Sequence, residues 1–202
     1  MTIFPDRQTS QEVQRILIGS VVPRPIALVS SVSAEGVRNL APFSFFNAVC
    51  TDPPVICFAA ARPAAGKPKK DTLDNIEATG EFVVNIVSEE FAEQMNLTAR
   101  DYPADVDEFA ESGLTAINSE LVRPPRVRES RVSFECKLTH NIVVSDKPAG
   151  SNLILGEVVC MHVDEAVLED GRIDPDRLRA IGRMGGISYV RTTDRFEIVR
   201  PK

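Results

Sequence analysis

Apolar and polar positions alternate with a period of two along much of the chain. Residues 26–32 form a short apolar run rich in β-branched side chains and predict a strand. Ala34-Glu35-Gly36 reads as the turn of a hairpin. Residues 55–61 and 82–87 repeat the strand signature, and residues 43–49 carry it in part, broken by polar positions. Val132, Phe134, Cys136 and Leu138 alternate with Ser133, Glu135, Lys137 and Thr139, which predicts a half-buried strand. His140 extends the apolar, even-numbered face of that strand. Residues 153–163 predict a second long strand interrupted at Gly156, and residues 196–199 a last one.

The helical pattern is weaker and shorter. Thr9 and Glu12 fit a capping box ahead of residues 9–18, with Val13, Ile16 and Leu17 on one face and Gly19 at the end. Residues 71–79 predict a short helix with Asp71 or Thr72 as cap and Gly80 as stop. Ser88 is expected to cap a further helix, with Glu89 and Glu90 in its first turn and Phe91 and Met95 facing the core. Residues 174–181 predict one more. Residues 99–125 are polar, rich in Asp and Pro, and hold one short helix near residues 107–111; they read as an excursion, a lid or a dimer arm. Strands do not alternate with long helices, so a doubly wound parallel sheet is disfavoured. The expectation is a mainly β protein, an antiparallel barrel with a few short peripheral helices.

With 202 residues, 43% of them hydrophobic, the chain can build one sizeable core, expected as a single domain over 1–202. A formal net charge of -6 argues against nucleic acid or an anionic membrane surface as partner. Residues 1–10 carry no apolar signal-peptide core, and no apolar run approaches the ~20 residues of a membrane helix, so a cytoplasmic location is expected. Cys50, Cys57, Cys136 and Cys160 form no C-x-x-C pair, and His140 and His162 are the only histidines. A zinc site would need ligands gathered from separate strands; the cysteines read instead as small buried hydrophobes of a reduced protein, with no metal expected. The G-x-S-x-G and G-x-G-x-x-G motifs are absent, which disfavours a hydrolase elbow and a Rossmann domain.

Two segments carry the chemistry. In Asn39-Leu40-Ala41-Pro42-Phe43-Ser44-Phe45-Phe46-Asn47-Ala48-Val49, Pro42 breaks a regular ladder, while Ser44 and Asn47 offer polar groups among aromatics. Such a loop suits a planar cofactor ring, and an edge strand with a Phe-rich core face fits equally. In Lys69-Lys70-Asp71-Thr72-Leu73, a helix start offers free N–H groups, a cation and a hydroxyl, which suit a phosphate; an ordinary capped helix fits as well. Arg62 could clamp the same phosphate. Arg183 stands beside Gly185-Gly186 and reads as a phosphate or carboxylate contact, or as part of a simple turn.

These segments occur in an ordered series. Pro25-Ile26-Ala27-Leu28-Val29-Ser30-Ser31 comes first, then Gly36, the 39–49 segment, Asp52-Pro53-Pro54 and Lys70-Asp71-Thr72-Leu73 with Asn75-Ile76. Gly80-Glu81-Phe82-Val83-Val84-Asn85, Leu155-Gly156-Glu157-Val158 and Arg183-Met184-Gly185-Gly186 with Tyr189 follow. In this series the chain resembles the flavin reductase-like proteins with the FMN-binding split-barrel fold. That group includes the reductase components of two-component flavin monooxygenases, such as nitrilotriacetate monooxygenase component B. The resemblance covers about residues 21–187. It implies an antiparallel Greek-key split β-barrel that forms a homodimer, with FMN, or alternatively FAD, near the subunit interface. Ser30, Ser31, Ser44, Phe45 and Asn47 would surround the ring and ribityl chain; Arg62, Lys70, Asp71 and Thr72 would hold the phosphate. His140 would lie near the nicotinamide approach and Arg183 near the flavin or dinucleotide. The implied activity is an NAD(P)H-dependent flavin reductase, with a monooxygenase as partner. The alternatives are an FMN electron carrier with a protein redox partner, and a non-enzymatic dimeric barrel.

Overall fold

The computed structural model describes residues 1–62 and 69–201. Helix α1 (Ser10–Ser20) opens on the expected capping box, with Thr9 and Glu12 bonded reciprocally. Strands β1 (Ala27–Val32) and β2 (Arg38–Phe43) form the expected hairpin, turning at Gly36 with φ +90. Strands β3 (Phe46–Thr51) and β4 (Pro54–Ala61) form a second, with Asp52 and Pro53 as its two-residue turn. Helix α2 (Asp71–Thr79) ends on Gly80, whose φ of +70 and N–H to the Ile76 carbonyl make the expected stop. Then come β5 (Glu81–Ile86), the short helices α3 (Ala92–Leu97) and α4 (Glu108–Ser112), and the small hairpin β6 (Ala116–Ile117) with β7 (Arg126–Val127). Strands β8 (Val132–Val143) and β9 (Ser151–Val163) are the long pair. The chain closes with hairpin β10 (Leu168–Glu169) and β11 (Arg172–Ile173), helix α5 (Pro175–Leu178), and hairpin β12 (Ile181–Arg183) and β13 (Tyr189–Arg191).

Seven strands form one antiparallel sheet in the order β2-β1-β5-β8-β9-β4-β3. Its two edge strands, β2 and β3, are joined by only Ser44 and Phe45. Two residues span about 7 Å, so the sheet must curl until its edges meet. The Ala59 N–H reaches the Phe45 carbonyl at 2.8 Å, and the Phe43 and Phe58 rings stand 4.8 Å apart across the closure. The expected antiparallel barrel is therefore the observed one.

Ala27, Val29, Phe43, Phe58, Phe82, Val84, Cys136 and Ile154 fill the barrel, and Leu73 and Ile76 of α2 complete its core. A second core lies on the outer side of β1, where Leu28 and Leu40 meet Phe91, Met95 and Phe109. Gly156 does not interrupt β9; it pairs with both Ile56 and Leu138. A Cβ there would stand 2.3 Å from the Phe82 ring, so the glycine exists to admit that ring.

Several expectations are corrected by cover that the sequence pattern does not encode. Ser133 and Glu135, on the side of β8 expected to be solvated, are 2% and 0% exposed: the Glu120 and Leu121 backbone caps Glu135, and Ser133 donates to Asn85 Oδ1. Ile16 and Leu17, expected with Val13 on one face of α1, are exposed, and α1 has no buried residue. Residues 196–199 form no strand, and Phe196, Ile198 and Val199 are exposed. The segment after β11 is helical only over α5, with Ile181 in β12. The cap of α2 is Lys70, and Ser88 makes no side-chain cap. Of the four cysteines only Cys136 is buried; Cys50 is exposed, Cys57 and Cys160 are half-buried, and all four are free. Among the described residues no helix is long and apolar enough to cross a membrane.

Candidate functional site

A cavity of about 270 Å³ opens between β2, the start of α2 and the segment that precedes α4. Its walls join the two segments singled out in the sequence. Asn39, Ala41 and Pro42 come from the first, and Lys69, Lys70, Asp71 and Thr72 from the second. The third wall is Thr98, Ala99, Arg100, Asp101 and Tyr102, with Glu108 at the base. The polar excursion, expected as a lid or a dimer arm, thus contributes a wall of the cavity. The signal available was Arg100 and Tyr102 next to a capped helix in an otherwise acidic stretch.

The start of α2 points its charge into this cavity. Lys70 is the N-cap and supplies no side-chain cap, and Asp71 and Asp74 stand in the first turn of the helix. The Lys70 ammonium lies 3.7 Å from the exposed Asp101 carboxylate, a screened pair of little energetic weight. Arg62 follows β4 and donates to Asn152 Oδ1 at 2.9 Å, which fixes its guanidinium against β9. The segment 63–68 between Arg62 and Lys69 lies outside the described residues.

Beneath the cavity sits a buried polar network. The Thr72 hydroxyl donates to Asn39 Oδ1 at 2.7 Å, and the Ser31 hydroxyl reaches the same oxygen at 3.1 Å. Asn75 donates to Ser31, and Asn39 donates to the Glu108 carboxylate at 2.7 Å. Thr72 and Ser31 are thus committed to one another's neighbours, and only Thr72 also lines the cavity. Ser30 faces elsewhere, its hydroxyl donating to the Pro125 carbonyl.

Glu108 is 7% exposed, and burial, with a further push from Asp71, raises its carboxyl pKa against the hydrogen bonds from the Glu108 and Leu40 backbone and from Asn39. A raised folded pKa means that the folded state holds this proton more tightly than the unfolded one. The resulting stability is full below the ordinary glutamate value of about 4.3. It is lost as pH rises through the raised value. Glu108→Gln is therefore expected to lose less stability than the parent between acid and neutral pH, as chemical denaturation at both pH values would record.

Ser44, Phe45 and Asn47 sit at the barrel closure. Ser44 is half-buried, Phe45 is 48% exposed, and Asn47 is exposed, its side chain accepting from the Ala48 N–H. Arg24, unremarked in the sequence pattern, fixes this corner. It is 5% exposed and donates to the carbonyls of Ile18, Val21 and Met184, and at 3.4 Å to the Ser44 hydroxyl. No carboxylate pairs with it among the described residues; burial, then Arg183, holds its pKa below the arginine range. One guanidinium thereby ties the end of α1, the β12–β13 hairpin and the Ser44 turn together. Arg183 belongs to the same corner, stacked on Tyr189 at 4.5 Å and bonded to the Gly186 carbonyl.

His140 does not continue the buried face. The β8–β9 register shifts between Leu138 and His140, so the period of two is broken before it, and His140 is exposed. It lies outside the lining of the cavity, as do Ser30, Ser31, Ser44, Phe45, Asn47, Arg62 and Arg183.

Comparison with known proteins agrees with the split-barrel fold. The pattern of the flavin reductase like domain matches residues 18–180. An uncharacterized protein of Aquifex aeolicus is 42% identical over 178 residues, 88% of each chain. Nitrilotriacetate monooxygenase component B from Bacillus cereus superposes with a TM-score of 0.92 at 38% identity over 98% of both chains. The 2-nitrobenzoate 2-nitroreductase of Pseudomonas fluorescens superposes with a TM-score of 0.89 at 35% identity, covering 100% of this chain and 96% of that one. With its split barrel, its matched sequence and these two structures in agreement, the chain belongs to the flavin reductase-like family.

Proposed function

We propose that the protein is an NAD(P)H-dependent flavin reductase that binds FMN. The observation that carries this reading is the cavity itself, where the start of α2 and Lys70 face Asn39, Ala41 and Pro42 of β2, a strand that pairs regularly with β1 through Pro42 although its ladder was expected to break there. These residues fit a phosphate-bearing cofactor. The α2 backbone N–H groups, Lys70 and Arg62 would hold the phosphate. Asn39, Ala41 and Pro42 would flank the ribityl side, and the Ser44–Asn47 corner would present backbone and side-chain polar groups to the ring edge.

A flavin held by these residues would supply the redox chemistry, hydride transfer with a reduced nicotinamide nucleotide and electron transfer to an acceptor. The side chains position and tune. Arg24 keeps a buried positive charge against the Ser44 corner, where it favours any negative charge that develops nearby. Phe45 and Tyr102 offer aromatic surface in a chain that has no tryptophan.

The site is completed by a second copy of the chain in this reading. Strand β3 is exposed along nearly its whole length, and Val49, Ile16 and Leu17 leave apolar surface uncovered beside the Ser44 corner and α1. Exposed apolar side chains on a helix and an edge strand support an interface there. Leu17→Glu is expected to shift a homodimer to monomers and to release bound flavin. Light scattering with in-line absorbance checks both, and an unchanged dimer that retains its flavin would contradict the interface.

A further inference from the structure

We propose that Glu135, Cys160 and His162 form a binding site for a zinc-like divalent cation on the outer face of the β8–β9 pair. Cys160 lies directly opposite Glu135, and His162 follows two residues along β9, opposite Ser133. Alternation on a strand therefore sets the thiol and the imidazole on one face, with the carboxylate beside them. The ligand atoms all lie within 4.8 Å of one another: His162 Nε2 is 2.6 Å from Glu135 Oε1 and 3.5 Å from Cys160 Sγ.

These separations are near those of a coordination sphere. Zinc bonds of about 2.0–2.1 Å to nitrogen and 2.3 Å to sulfur give a tetrahedral N–S edge of about 3.5 Å. The nitrogen–oxygen edge would open to about 3.3 Å. The imidazole, half-exposed, can make that adjustment, while Glu135 cannot. Its fully buried carboxylate is fixed by the Glu120 N–H at 2.7 Å and the Leu121 N–H at 2.6 Å. A carboxylate oriented by backbone donors is a preorganised ligand.

A hydrogen bond from His162 to Glu135 accounts for two of the three groups and leaves Cys160 without a role. Thiolate, imidazole and carboxylate together select a borderline-soft divalent ion and disfavour calcium and magnesium. Three protein ligands leave a fourth position for water, and the half-exposed Cys160 and His162 leave the site open to entry. Bound metal would clamp the turn at residues 120–121 to both long strands.

The test is a Co²⁺ titration of the full-length protein in reducing buffer, read as difference spectra that include the region beyond flavin absorption. The expected result is a saturable thiolate-to-cobalt charge-transfer band with tetrahedral d–d absorption, both abolished by Zn²⁺. Cys160→Ser should lose the charge-transfer band, and His162→Gln should bind at least about tenfold more weakly. Both should keep their flavin. A wild type without the band, or a band that survives in Cys160→Ser and so belongs to Cys50 or Cys57, would overturn the site. If either variant fails to fold, the thermal transition of the wild type decides. A rise at stoichiometric Zn²⁺ supports the site, and no rise overturns it.

Discussion

Arg62→Ala combined with Lys70→Ala should weaken FMN binding about a hundredfold or more, since each charge-assisted bond contributes about 1.5–3 kcal/mol. Both residues are surface-reaching cations at the rim of the barrel, and neither belongs to the barrel core. The melting temperature of the flavin-free protein is expected to fall modestly, because Arg62→Ala removes a donor from the fully buried Asn152 Oδ1. The Lys70–Asp101 pair is exposed and contributes little that could be lost. Thr72 is left intact in this variant, although it stands at the same helix start. Its hydroxyl donates to Asn39 inside a buried network, so Thr72→Ala would disturb the fold together with the site. Fluorescence titration of flavin-free protein with FMN reads the affinity directly. Parent-like affinity in the double variant would remove the phosphate from the start of α2.

Gly156→Ala should destabilise the fold by about 3 kcal/mol, the upper end of ordinary overpacking. The new methyl would meet Phe82 Cζ at 2.3 Å and Cε1 at 2.7 Å, and Cys136 Cβ at 3.2 Å. Phe82 has no room to retreat, because its ring packs edge-on against Phe58 at 5.6 Å and is fully buried. Gly156→Ala with Phe82→Leu should regain part of the loss, since the smaller side chain vacates the space that the methyl needs. Denaturant unfolding of the two single variants and the double variant measures the coupling. A Gly156→Ala protein as stable as its parent would show that the ring does not occupy the barrel as described.

Much of the barrel was legible in the sequence because strand period and turn chemistry are local. The β1–β2 hairpin at Gly36, the capping box at Thr9 and Glu12, and the stop at Gly80 each follow from a few adjacent residues. Features that depend on what covers a surface were not legible. Glu135 has the spacing of a solvated position, yet it is sealed by a segment that precedes it by some fifteen residues. Ile16 and Leu17 have the spacing of one apolar helix face, yet among the described residues they stay about half exposed. His140 was misplaced by a register shift, which alternation alone cannot reveal.

The site was legible in part for the same reason. Its two segments announce themselves by composition, and the fold sets them on one cavity. The third wall, Arg100 to Tyr102, and the anchoring Arg24 were missed because their partners are distant in sequence; Arg24 reaches Met184 across 160 positions. Ser31 and Thr72 illustrate the converse. Their residue types suit a cofactor, but their hydroxyls hold the floor of the site together.

The most direct test of the proposed activity is an anaerobic titration of the FMN-loaded protein with NADH and, separately, NADPH, followed by flavin absorbance. The expected result is bleaching of the oxidised flavin band by about one equivalent of at least one nicotinamide. A flavin that is reduced by dithionite but untouched by both nicotinamides would contradict the reductase and identify an electron carrier served by another protein.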